Sequence, residues 1–143
     1  MSLPQRVTKT HATGNDFVVY LDKSGKFEPS DDEVRFLCDR HFGIGGDGLI
    51  RLTRPDFVSD LSDDQLSDVL AGGAKWFMDY RNADGSLAEM CGNGTRAITL
   101  FAQREGVADS TEPFRLGTRA GVKILTPRGN ICLLYTSDAA DDL

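Results

Sequence analysis

Asn82-Ala83-Asp84-Gly85-Ser86, followed by Glu89-Met90-Cys91-Gly92-Asn93-Gly94-Thr95-Arg96, is the stretch on which the fold turns. A turn-forming run leads into a cysteine, and that cysteine opens a helical pattern. Upstream, Trp76 to Arg81 reads as an aromatic-rich strand. Downstream, Gly92 to Glu105 is the strongest helical pattern in the chain, with Ile98, Leu100, Phe101 and Ala102 apolar and Gly106 as its stop. Strand, turn and helix in that order put Cys91 where unpaired backbone N–H groups and the positive helix end hold a thiol as thiolate.

Working outward, Arg6 to Thr10 and Phe17 to Leu21 read as strands on either side of the turn-rich Ala12-Thr13-Gly14-Asn15-Asp16. Ser30 is the expected N-cap of a helix with Asp31, Asp32 and Glu33 in its first turn. Val34, Leu37 and Cys38 supply its apolar positions up to about Arg40. Leu49 to Thr53 is a short strand ending at Pro55. Asp56 to Lys75 reads as an acidic surface excursion with a short amphipathic helix around Leu61, Leu66, Val69 and Leu70. Phe114 to Thr118 and Val122 to Thr126 are expected strands, with Pro127-Arg128-Gly129-Asn130 as a turn. Strands outnumber helices without strict βαβ alternation, which predicts an α+β fold with a mixed sheet packed on the Gly92–Glu105 helix.

The chain has 143 residues, enough for one domain, or a domain plus a fragment, with a real core. A net charge of −6 argues against nucleic acid as a partner, and no apolar run is long enough for a membrane span. Met1-Ser2-Leu3-Pro4-Gln5-Arg6 lacks the charged and apolar regions of a signal peptide. With three unevenly spaced cysteines, the expectation is reduced thiols in the cytoplasm.

Gly43, Gly45 and Gly48 fit G-x-G-x-x-G, yet the run follows a helix and feeds a strand, the reverse of a dinucleotide fingerprint. It is read as a loop beside a site. Cys38 lies on the apolar face of its helix and is given a packing role. His11 and His41 show no metal-ligand spacing and are read as structural residues beside turns; no metal is expected. The Asp56–Asp68 run is read as a solvated face.

Cys91 carries the chemistry. A structural cysteine at a strand–helix junction is the alternative, but Gly92 and Gly94 each cost a helix interior about 1 kcal/mol and expose backbone N–H groups suited to a carboxylate or phosphate. A thiolate base beside a carboxylate-binding nest is equipped to remove a proton from the carbon next to that carboxylate.

Three blocks together resemble the diaminopimelate epimerase family: Thr13 to Phe17, Cys38 to Gly48, and Asn82 to Ser86 continuing through Met90 to Gly94. The resemblance implies two similar lobes, each a curved mixed sheet wrapped around a central helix, with the active site between them. It also implies a cofactor-independent isomerase that interconverts LL- and meso-diaminopimelate in lysine and peptidoglycan precursor synthesis. Each lobe would give one catalytic cysteine, and Cys91 matches that of the first. Asn15 and Asn82 match substrate-contacting asparagines. Gly92 and Asn93 match backbone donors to the reacting α-carboxylate. Gly48 departs from relatives that carry glutamine there. A homodimer of the intact protein stays open, with a small amino acid as substrate.

Length is the larger departure, because the second lobe and its cysteine are missing. Residues 1–131 are therefore read as an incomplete N-terminal lobe, inactive alone. Residues 132–143 read as a non-native tail, since Cys132 to Asp141 can be encoded by a string resembling a sequencing-library transposon adaptor. Two other functional readings stay open: a thiol-dependent isomerase of the same superfamily, proline-racemase-like or phenazine-pathway-like, and a non-catalytic binding module with an unreactive Cys91.

Overall fold

The computed structural model describes residues 3–88, 92–128 and 131–135, with 128 and 131–135 as backbone only. Its first hairpin pairs β1 (Thr8–Ala12) with β2 (Asn15–Asp22), Ala12 opposite Asn15. Thr13 and Gly14, at φ 55° and 80°, form the two-residue turn. Positive φ at both residues matches the twist of paired strands, at the expense of strain in a β-branched threonine. The turn is thus shorter than the sequence suggests. Asn15 and Asp16 belong to β2, and β1 begins two residues later than expected.

Ser30 caps α1 (Asp31–Cys38) through a reciprocal capping box with Glu33. Val34, Leu37 and Cys38 are buried, as their spacing predicts, and Asp39 ends the helix just short of Arg40. α1 crosses to β3 (Gly48–Thr53), which runs parallel to β2. A 3-10 turn (Pro55–Phe57) and α2 (Asp63–Ala71) lead to β4 (Trp76–Asn82), antiparallel to β3. α3 (Gly92–Arg104) then crosses to β5 (Phe114–Thr118), parallel to β4. β6 (Gly121–Arg128) and β7 (Ile131–Tyr135) complete a seven-stranded mixed sheet whose strand order equals chain order. β6 runs through Pro127, where a turn was expected. Among the described residues, its only strand partner past Leu125 is β7, and such an edge position tolerates proline. Gly129 and Asn130 lie outside the described residues, as do 136–143 of the tail read from the sequence as non-native.

Alternation along the strands sends side chains to two different layers. Phe17, Val19, Ile50, Leu52, Met78 and Tyr80 pack with Ala97, Ile98, Phe101 and Ala102 of α3. That helix lies against β1 to β4, β6 and β7, so the sheet curls around it. Burying a side chain such as Ile98, fully enclosed here, is worth about 1.5–3 kcal/mol. On the opposite face Val18, Tyr20 and Leu49 pack on α1. The architecture is the α+β sheet-around-helix arrangement anticipated above. Leu100 and Leu70, read as apolar positions of their helices, are partly exposed instead. No helix among the described residues is long and apolar enough to cross a membrane.

The acidic excursion is less superficial than its composition suggests. Val58, Val69 and Ala74 are buried on Phe77. Asp60, read as part of a solvated face, accepts two 2.8 Å bonds from Arg119. The reason is tertiary: Arg119, 59 residues on, reaches back across the sheet edge. Arg119 also binds Asp79 at 2.7 Å. Arg51 and Asp79 face each other across β3 and β4 and bond at 3.0 Å, with Asp22 on Arg51 Nε at 2.8 Å. Arg81 Nε adds a 3.2 Å bond to Asp79. Burial alone would raise the Asp79 carboxyl, but Arg81 and Arg119 more than reverse it and hold it below its ordinary range.

Candidate active site

One end of the sheet gathers the blocks that the sequence singles out. Phe17, Gly48 and Asn82 are register partners across β2, β3 and β4. Asn15 lies two residues before Phe17, at the hairpin tip, and α3 starts ten residues beyond Asn82. Phe17 and Gly48 are 31 residues apart and Gly48 and Asn82 are 34 apart, and the parallel β2–β3 and antiparallel β3–β4 pairings bring them to the same end of the sheet.

Asp47, which closes the glycine-rich loop, ties the blocks together. Its carboxylate accepts from Asn15 Nδ2 at 2.6 Å and from the Asp16 amide at 3.2 Å. Arg40 Nη2 donates to its other oxygen at 3.1 Å. Its backbone carbonyl accepts from the Ala83 amide at 3.2 Å, next to Asn82. Arg40 also grips Asp16 with two 2.9 Å bonds, and Lys9 Nζ approaches Asp16 at 3.1 Å. The Arg40 guanidinium therefore holds the Asp16 carboxyl well below the usual carboxylate range. A cavity of about 540 Å³ opens here against Asp16, Arg40, Asp47 and His11. His11, read as a structural residue beside a turn, lines this cavity, whose lining does not include Asn15, Asn82, Gly92 or Asn93.

Asn82 is fixed by its own turn. Its amide donates to Ser86 O at 2.9 Å and its Nδ2 to Ser86 Oγ at 3.0 Å. Ser86 Oγ in turn donates to Asp84 at 2.6 Å, and the Ser86 hydroxyl and amide bonds hold the Asp84 carboxyl below its ordinary range. Arg35 of α1 donates to Asp84 O at 3.0 Å, anchoring the turn from the outer face.

The amides of the glycine-rich loop do not form a phosphate cradle. Ile44 and Gly45 both donate to Leu37 O at 2.9 Å, Gly43 donates to Asp39 O and Gly46 to Cys38 O. They satisfy the carbonyls that the end of α1 leaves open. Gly48 is buried, and a Cβ there would lie 2.6 Å from the Tyr80 ring.

Cys91 lies outside the described residues, with Glu89 and Met90. α3 begins at the next residue, and Gly92 and Asn93 form its first turn, partly exposed. The first N–H groups of a helix have no intrahelical acceptor, so this turn offers donors to an anion. Thr95 Oγ1 donates back to Gly92 O at 2.7 Å, and Thr99 Oγ1 to Thr95 O at 2.7 Å. Cys38 is buried, and burial pushes its thiol up to about 11, which suits packing rather than catalysis. Among the described residues, no group of three or more His, Cys, Asp or Glu side chains is placed to share a metal ion.

Sequence reading overlooked Asp16, Arg40 and Asp47 as site residues, although each lies inside a quoted block. Asp47 between two glycines was the available signal: a carboxylate in a tight loop needs donors, and those donors come from the hairpin.

A family model described as diaminopimelate epimerase matches residues 7–132. The chain is 42% identical to the diaminopimelate epimerase of Thermobifida fusca (strain YX) over 128 residues, covering 88% of this chain and 46% of that protein. With the diaminopimelate epimerase of Corynebacterium glutamicum (strain ATCC 13032) identity is 43% over 123 residues, 86% of this chain and 41% of the relative. The chain thus spans less than half the length of these curated relatives. Among solved structures, a Bacillus anthracis phenazine biosynthesis protein of the PhzF family superposes with a TM-score of 0.54 at 16% identity, over 93% of this chain and 37% of that one. Methylitaconate-delta-isomerase gives 0.54 at 12% identity, over 94% and 39%. At such identities these two structures bear on the fold alone.

Proposed function

We propose a function for this chain from a plain premise: it belongs to the diaminopimelate epimerase family. The intact protein, on this reading, interconverts LL- and meso-diaminopimelate without a cofactor, in the supply of lysine and peptidoglycan precursors. Cys91 is its first catalytic thiol. Asn15 and Asn82 contact the substrate through their side chains, and the Gly92 and Asn93 amides receive the reacting α-carboxylate. Residues 1–131 are an incomplete first lobe, and 132–143 a non-native tail; the family match ending at residue 132 supports that division.

The observation that carries the reading is the junction at Asp47, which brings the Asn15 hairpin and the Asn82 turn to one end of the sheet. Inverting a carbon centre needs a base on one face and an acid on the other. A thiolate takes the α-hydrogen as a proton, leaving its electron pair on carbon. A thiol on the opposite face delivers a proton to that pair. Donors aimed at the carboxylate stabilise the carbanion between the two steps, and exclusion of water strengthens them. Cys91 serves one face, so the second thiol has to come from the part of the protein absent here, and the 143-residue chain alone is inactive.

Proton NMR of the full-length gene product with LL-diaminopimelate in deuterated water tests the assignment. Deuterium at the α-carbon and accumulation of the meso isomer are expected, with both lost in Cys91→Ala. Neither signal from the intact protein would overturn it. The DNA read downstream of Asn130 should encode a second lobe with another helix-opening cysteine. A reading frame that ends without one would refute the division.

A further inference from the structure

We infer that Asp47, itself held by Arg40, is a positioning residue for the Asn15 side chain; the inference rests on the functional reading just given. Several bonds deny Asp47 freedom of its own. Its amide donates to Asp16 O at 2.8 Å and to Asp16 Oδ1 at 3.1 Å, and its carbonyl is engaged by Ala83. Arg40 fixes one carboxylate oxygen, and the other receives Asn15 Nδ2 at 2.6 Å.

An ionised carboxylate only accepts hydrogen bonds. Asp47 therefore dictates which end of the Asn15 carboxamide faces the protein: the N–H end. That 2.6 Å bond sets the direction in which the rest of the carboxamide is presented to a ligand. The Asp47 side chain is 46% exposed and lies in a surface loop, outside the clusters of buried apolar residues. Its backbone bond to the Asn82 turn survives any side-chain change. Truncating the carboxylate removes the Asn15 bond together with its contacts to the Asp16 amide and Arg40, while the backbone bonds of Asp47 to Asp16 and Ala83 keep the loop in place.

The test is steady-state kinetics of the full-length gene product with diaminopimelate. Asp47→Ala should raise KM about tenfold or more, the loss of one charge-assisted hydrogen bond, with kcat little changed. Asp47→Asn, which keeps shape and one acceptor, should fall between it and wild type. In an Asn15→Ala background, Asp47→Ala should add nothing further to KM, because the group it orients is gone. An unchanged KM in Asp47→Ala, or losses that multiply in the double variant, overturn the inference. Should Asp47→Ala not fold, Asp47→Asn carries the same split, and an unchanged KM there is equally fatal. An inactive wild type would instead remove the functional reading itself, before any variant is compared.

Discussion

One methyl group at Gly48 probes how closely the strands pack at the site end of the sheet. An ideal Cβ there lies 2.6 Å from Tyr80 Cε1 and 2.8 Å from Arg81 O. Neither neighbour yields cheaply. The Tyr80 ring stands edge-on to Phe17, with centroids 5.9 Å apart and planes at 83°, and Arg81 O is strand backbone. Overpacking of this kind costs about 1–3 kcal/mol. Gly48 is not among the positive-φ residues, so alanine adopts its backbone without strain and offsets about 0.4–1 kcal/mol through a less flexible unfolded chain. The net expectation for Gly48→Ala is a loss of about 1–2 kcal/mol. Urea unfolding followed by Trp76 fluorescence should show a midpoint lower by about 0.5–1 M at unchanged slope. In a Tyr80→Leu background the penalty should shrink, leaving the Arg81 carbonyl contact alone. A midpoint at or above wild type, or the same drop with the ring removed, would refute the packing account. Gly48→Gln, with a longer side chain to place against the Tyr80 ring, should cost more than alanine.

Acid stability follows from the ion pairs. Hydrogen bonding from Arg119 holds the Asp60 carboxyl below its unfolded value of about 3.9, so its contribution is fully present above that pH and is lost as pH falls through the lower folded value. The stability gap between wild type and Asp60→Asn should therefore narrow below about pH 4; a gap constant from pH 6 to pH 3 would contradict it. Cys38, with its thiol pushed up to about 11 by burial, should resist iodoacetamide at pH 7.5 until urea unfolds the protein. Mass spectrometry of the Cys38 peptide reads this, and equal labelling of native and unfolded protein would discount the burial.

Local chemistry made the elements legible and left their partners hidden. Ser30 with Glu33, the Val34–Leu37–Cys38 face and Gly106 at φ 78° are cues acting within a few residues, and each appears in the fold as the sequence suggests. The Thr13–Gly14 turn was misjudged because strand pairing, rather than composition, decides where a hairpin closes. Asp60 looked solvated because its partner Arg119 lies in a different segment. Arg51 within Leu49-Ile50-Arg51-Leu52 was an unread warning: a guanidinium in an apolar run demands buried carboxylates, and only the β3–β4 register reveals Asp79 as one. In the site, the asparagines were readable as motif residues. The Asp16–Arg40–Asp47 clasp was not, since it exists only once three separate blocks meet.

Strand order that follows chain order has a consequence for synthesis on the ribosome. Each new strand finds its neighbour already in place, and the longest detours each contain a helix, α1 or α3, that forms locally. The sheet can therefore grow from its first hairpin as the polypeptide emerges, without waiting for distant sequence.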